Sequence, residues 1–264
     1  MITTDFLPGS PCWLEVSSPD TDASTAFYRR VFGWKAMEDT PEAAGYLTCR
    51  LDGDAIAGLS PLLGEGERPA WTVFFQDPDV DSTVPAVERL HGSVLVEPFD
   101  ALTAGRSAQF FDAQGARFAV WNPIDFPGME RTDSHGTLCR VELLTPDGDG
   151  SEAFYRELFR WHYSDAPAPA GAGRRRVITP DGAGRDRDQG GITALAPDRV
   201  DDTEGSAEWN AVFRVDDVDR ALEAVRTGGG QVYTGPEPTP DAGRTAVCAD
   251  PFGAGFALLE TARG

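Results

Sequence analysis

The chain has 264 residues, 41% of them hydrophobic, which is enough for a sizeable core and for one large domain or two of ordinary size. Its 43 acidic residues face 23 lysines and arginines, and Lys35 is the only lysine, so the formal charge is −20. Such a field opposes phosphate backbones and anionic membranes, which excludes nucleic acid and membrane surfaces as partners and leaves a small-molecule ligand as the expected one.

The first eight residues carry no basic flank and no apolar run, and therefore do not read as a signal peptide. No stretch reaches the roughly 18 apolar residues of a membrane helix. Cys12, Cys49, Cys139 and Cys248 lie far apart without a Cys-x-x-Cys pair, the usage of reduced thiols in a cytoplasmic protein.

Residues 13–17 alternate as a strand does. Residues 21–32 then carry Ala23, Ala26, Phe27 and Val31 at helical spacing, entered through Pro19-Asp20 as stop and cap. Segments 46–51 and 55–59 flank Asp52-Gly53, a hairpin signal. A strand at 72–75 is followed by a helix over 81–90 that His91-Gly92 closes. Strands at 94–96, 107–111 and 117–121 complete the set, the last two joined by a turn at 112–115.

The whole pattern then returns. Cys12, Glu15, Phe27-Tyr28 and Trp34 recur as Cys139, Glu142, Phe154-Tyr155 and Trp161, all at an offset of 127 residues. Trp71, Gly105-Arg106 and the Asp112-x-x-Gly-Ala turn recur as Trp209, Gly243-Arg244 and Asp250-x-x-Gly-Ala at an offset of 138. An internal repeat of this length predicts two domains, 1–127 and 128–264, each made of strand, helix and three strands run twice. The second copy gains 11 residues between Trp161 and Trp209. We place them within 166–187, whose bias to Pro, Gly, Ala and Arg predicts a surface loop or flap. In that setting Arg174-Arg175-Arg176 reads as a solvated run. The aromatics after each first strand (Phe27, Tyr28, Phe32, Trp34 and their counterparts) read as core.

These motifs resemble the vicinal oxygen chelate superfamily, which contains glyoxalase I, bleomycin-resistance proteins and extradiol dioxygenases. In particular they resemble tandem actinobacterial glyoxalase-like proteins that carry a hydroxylase label. The resemblance implies an α+β fold of two tandem glyoxalase-like domains, each a pair of βαβββ units curled into an open cup. It also implies where a metal would be held: at Trp13, Thr72 and Ala119 in the first copy, and at Arg140, Asn210 and Ala257 in the second. None of the six is an ordinary ligand, and His91, His135 and His162 fall in three different settings. No metal and no other cofactor is therefore expected.

With the family positions facing the cups, as the resemblance implies, strand alternation adds Glu15 to Trp13, Phe74 and Gln76 to Thr72, and Arg117 with Trp121 in the first copy. In the second copy the cup faces carry Arg140 with Glu142, Asn210 with Val212 and Arg214, and Leu259. Cys12 and Cys139 are expected in the core that faces the helices. Aromatic walls with a few polar points suit a small flat ligand. Glu15 and Glu142 leave two readings open, a general base with a raised pKa or a carboxylate paired to a cup arginine such as Arg117. Arg140 would suit a carboxylate or enolate. The leading expectation is a metal-free protein, monomer or homodimer, that sequesters a small aromatic or polyketide-like metabolite or drug. The rivals are a metal-independent isomerase, cyclase or hydroxylase-type enzyme that uses a cup glutamate, and, behind both, a metal-dependent lyase or dioxygenase.

Overall fold

The computed structural model describes residues 1–62, 64, 67–168, 172–196, 205–239 and 243–261. Four βαβββ modules follow one another. The first comprises β1 (Pro11–Ser18), α1 (Thr21–Phe32), β2 (Lys35–Met37), β3 (Leu47–Leu51) and β4 (Asp54–Pro61). The second comprises β5 (Trp71–Gln76), α2 (Val80–Arg89), β6 (Ser93–Ala101), β7 (Gly105–Phe111) and β8 (Arg117–Pro123). The third has β9 (Leu138–Thr145), α3 (Gly148–Phe159), β10 (His162–Ala166), β11 (Ala172–Thr179) and β12 (Gly190–Leu195). The fourth has β13 (Glu208–Arg214), α4 (Val218–Thr227), β14 (Gln231–Thr239), β15 (Gly243–Ala249) and β16 (Gly255–Thr261). The strands form two eight-stranded sheets, β2-β3-β4-β1-β5-β8-β7-β6 and β10-β11-β12-β9-β13-β16-β15-β14.

The local causes repeat with the modules. Each helix starts behind an aspartate (Asp20, Asp79, Asp147 and Asp217) whose carboxylate accepts the N–H three residues on. The β3–β4 turn places Asp52 and Gly53 at φ of 53° and 103°, the left-handed pair that a two-residue hairpin requires. β2 has no counterpart in the sequence reading, because three residues are too few for a period. β6 runs well past 94–96. Register shifts against β7 at Val94/Val96 and Val96/Phe99 break the alternation, and Pro98 interrupts the apolar pattern.

The loop expected at 166–187 holds over 180–187, which is turn and a single 3-10 turn, and is corrected before it. β10 and β11 occupy 162–166 and 172–179 and pair antiparallel, and β11 pairs in turn with β12; residues 169–171 of that expectation lie outside the described residues. The strand registers also redistribute the inserted residues. Lys35 pairs with Arg50 where His162 pairs with Thr179, and Glu15 pairs with Gly58 where Glu142 pairs with Gly191. Two of the added residues thus fall before the hairpin turn, four in it and five between β12 and β13. The composition of 166–179 misled because alanine, glycine and arginine tolerate a paired strand when its neighbours supply the packing.

By contacts the chain forms two compact units that do not follow the halves of the sequence. One contains 1–12, 72–128 and 140–210, and the other contains 13–71, 129–139 and 211–264. Each has its own aromatic core around one tyrosine. In the first unit Tyr155 stacks on Trp161 and meets Phe118 and Trp209 edge-on. Its hydroxyl donates to Asp112 Oδ2 at 2.9 Å and accepts the Trp209 indole N–H at 2.8 Å. In the second unit Tyr28 stacks on Trp34, meets Trp71 edge-on and donates to Asp250 Oδ2 at 3.1 Å. The other oxygen of each aspartate accepts two backbone N–H groups of its own Asp-x-x-Gly-Ala turn. That motif is therefore a turn clamp aimed at the core. Burial pushes both carboxyls above their ordinary range and both phenols well above theirs.

Candidate functional site

Leu14 and Val16 are fully buried, so alternation along β1 puts Trp13 and Glu15 on the opposite face. The Trp13 indole N–H donates to the Tyr46 hydroxyl at 2.8 Å, and Glu15 Oε1 accepts the Ser60 hydroxyl at 2.8 Å. Burial, and after it the Glu15 carboxylate, keeps the Tyr46 phenol well above its ordinary value and hence protonated. Glu15 stands in register with Gly58, and a Cβ on Gly58 would fall on the Tyr46 hydroxyl. The sequence reading missed Tyr46 and Ser60. The available signal was Gly58 within an apolar strand, which marks a close approach.

The same positions of the third module carry different chemistry. Arg175 Nη2 donates to Glu142 Oε1 at 2.6 Å and its Nε to Oε2 at 3.3 Å. Arg140 Nε lies 3.4 Å from Oε1 of the same carboxylate but closes no hydrogen bond. Glu142 faces Gly191, where a Cβ would meet the carboxylate at 2.8 Å and Arg175 Nη2 at 3.0 Å. The solvated run expected at 174–176 is thus corrected as well. Arg175 is buried against Glu142, Arg174 pairs with Asp149 and Glu152, and Arg176 reaches the Tyr163 carbonyl and Asp165.

In the second module Phe74 and Gln76 pair in register with Ala119 and Trp121. Thr72 and Phe74 are buried, and the Trp121 indole N–H donates to the Phe126 carbonyl at 2.9 Å, which fixes the ring. The expected carboxylate partner for Arg117 is replaced by an amide, since its Nη2 donates to Gln109 Oε1 at 2.7 Å. Arg117 Nε and Gln76 Oε1 are buried without hydrogen bonds.

In the fourth module Val212 and Leu259 pack with Ala257 and Cys139. Cys139 is buried in this small apolar cluster, and its thiol donates to the Val212 carbonyl. Asn210 reaches only the Glu208 carbonyl, at 3.4 Å. Arg214 is committed elsewhere, to Asp133 and to the Thr261 hydroxyl, and so it holds the 129–139 connector.

The donor chemistry does not fit a divalent metal. The six family positions offer an indole N–H already donated, a guanidinium, a buried hydroxyl, an amide and two methyl groups. Among the described residues no three His, Cys, Asp or Glu side chains converge. His135 receives the Asp216 N–H, His162 faces Asp181, and His91 closes α2 in the left-handed region.

The Glyoxalase/Bleomycin resistance protein/Dioxygenase superfamily model matches the chain twice, over residues 12–120 and 137–258. The anthracycline biosynthesis protein DauV of Streptomyces sp. (strain C5) is 36% identical over 274 residues, covering 97% of this chain and 95% of that one. The anthracycline biosynthesis protein DnrV of Streptomyces peucetius is 34% identical over 278 residues, covering 99% and 96%. The Mn(II)-bound glyoxalase from Novosphingobium aromaticivorans shares the fold at a TM-score of 0.65 and 17% identity, covering 96% of this chain and 83% of that one.

Proposed function

The chain belongs to the glyoxalase, bleomycin-resistance and dioxygenase superfamily, and we propose that within it this protein binds a small aromatic, polyketide-like metabolite or drug without a metal. The observation that carries this reading is the replacement at the metal-ligand positions. An indole pinned by Tyr46 stands at Trp13, and a guanidinium that closes no hydrogen bond through its Nε stands at Arg140. Both groups recognise flat, oxygen-bearing rings, the first by stacking and the second by its planar fork. The names of DauV and DnrV point the ligand class toward aromatic polyketides. The same reading takes the protein to act in the cytoplasm, as monomer or homodimer, with domains at 1–127 and 128–264.

Binding of an anthracycline aglycone, followed by tryptophan fluorescence and thermal shift, tests it. The melting temperature should rise with ligand concentration. Trp13→Leu should weaken binding about tenfold, and a chelator should change nothing. Binding that requires added Mn(II), or purified protein carrying stoichiometric metal, overturns it.

The enzymatic alternative has one observation in its favour. Both oxygens of Glu142 are held by Arg175, which takes that carboxylate out of proton transfer, and the Ser60 hydroxyl orients Oε1 of Glu15. Of the two carboxylates Glu15 is the candidate general base. Retained binding with lost turnover in Glu15→Gln would establish catalysis, and turnover unchanged in that variant would exclude this base.

A further inference from the structure

Trp13, Glu15, Tyr46, Gly58 and Ser60 of the first module correspond one for one to Arg140, Glu142, Arg175, Gly191 and Thr193 of the third. The correspondence follows from the registers: Glu15 pairs with Gly58 as Glu142 does with Gly191, and Arg175 pairs with Thr193 two residues on. The glutamate and the glycine opposite it are kept in both copies. The two residues that flank them change from indole and phenol to two guanidinium groups. Such a paired change alters the chemistry of one copy and leaves its backbone intact.

The two arginines are not equivalent. Arg175 is buried and grips Glu142 through two hydrogen bonds, which completes a planar fork. Arg140 approaches one oxygen of the same carboxylate at 3.4 Å, and its buried Nε has no hydrogen-bond partner. Its side chain is 23% exposed, so part of it stays open to solvent while its Nε is buried. A partly buried cation with an unmade N–H bond favours an oxygen anion, above all one with two coplanar oxygens.

We infer that the two copies take different chemistry, with Arg140 as the anion-binding residue of the second copy, for a carboxylate or ionised enol, and Trp13 with Tyr46 serving an uncharged aromatic ring in the first. The aromatic half of this inference rests on the reading under Proposed function; the anion half does not.

The test titrates the full chain with anthraquinone-2-carboxylate, its uncharged carboxamide, and benzoate, by calorimetry and thermal shift. The carboxylate should bind about tenfold or more tightly than the carboxamide, and added salt should reduce only that difference. Arg140→Gln should bring the ratio close to one. Arg140→Trp, the residue of the first copy, should do the same and guards against a fold effect peculiar to one variant. A carboxylate preference that survives both substitutions, or its absence in the unaltered chain, overturns the anion site while leaving the aromatic reading intact. If neither anthraquinone binds, the aromatic reading fails. Benzoate then decides the anion site by itself: stabilisation lost on changing Arg140 upholds it, and none, or stabilisation independent of Arg140, sinks it.

Discussion

Tyr155 and Tyr28 hold equivalent posts with unequal support. Tyr155 both satisfies Asp112 and accepts the Trp209 indole at 2.8 Å, whereas the Trp71 indole N–H approaches Tyr28 without full hydrogen-bond geometry. Tyr28→Phe should cost about 1–3 kcal/mol, the penalty of leaving the Asp250 oxygen without a donor. Tyr155→Phe should cost more, because it orphans a buried N–H as well. Denaturant unfolding of the two variants checks the order, and equal losses would contradict the geometry. At Gly58 the prediction concerns binding. Alanine there displaces the Tyr46 ring from Trp13, so Gly58→Ala should weaken aromatic binding about as much as Trp13→Leu does, while Gly53→Ala should cost stability alone. At this scale the family resemblance named Trp13 and Arg140, and alternation added Glu15 and Glu142. Neither could name Tyr46, Ser60 or Arg175, because those come from other strands and only the register brings them alongside.

Among the elements, the four helices were legible because each carries its own start signal, an aspartate followed by apolar residues at helical spacing. Their ends differ. α1 closes on Gly33 at φ 82°, but α3 closes on Arg160 at φ 58°, a conformation that costs a non-glycine residue about 1 kcal/mol. Arg160→Gly should therefore raise stability by about 0.5–1 kcal/mol, and Gly33→Arg should lower it by a similar amount, as read by thermal unfolding. An unchanged or lower melting temperature for Arg160→Gly would mean that its side chain contributes more than the strain costs. β11 was the least legible element. Arg174, Arg175 and Arg176 look solvated in sequence, and only the acids of neighbouring elements (Glu142, Glu152 and Asp165) make them strand residues.

For the molecule as a whole, the charge of −20 and the buried phenols set its response to salt and pH. Excess negative charge repels itself, so moderate salt should raise the melting temperature, and a fall would place the acids in pairs that salt weakens. Burial raises the phenols of Tyr28, Tyr46, Tyr155 and Tyr163 above the unfolded value of about 10. The neutral form is then favoured by folding, so this contribution is complete below about pH 10 and is lost as pH rises beyond it. The buried thiols act with the same sign, Cys49 and Cys248 each being pushed up to about 12. Tyrosinate absorbance at those four positions should appear together with the loss of circular dichroism at high pH. Tyrosinate formation in protein that is still fully native would show the rings to be accessible.

The sequence by itself determined the internal repeat, the four helices and most of the strands, and its motifs carried the resemblance that implied the fold class. Each of these is written in local periodicity, in caps and turns, or in the offset between copies. Tertiary structure alone decided which residues meet. The compact units draw on modules from both halves of the chain, and the chemistry around Glu15 and Glu142 depends on strands distant in sequence. Periodicity reports which way a side chain points. Its partners are fixed by register and by long-range packing, which leave no local trace beyond glycines such as Gly58 and Gly191 that make the approach possible.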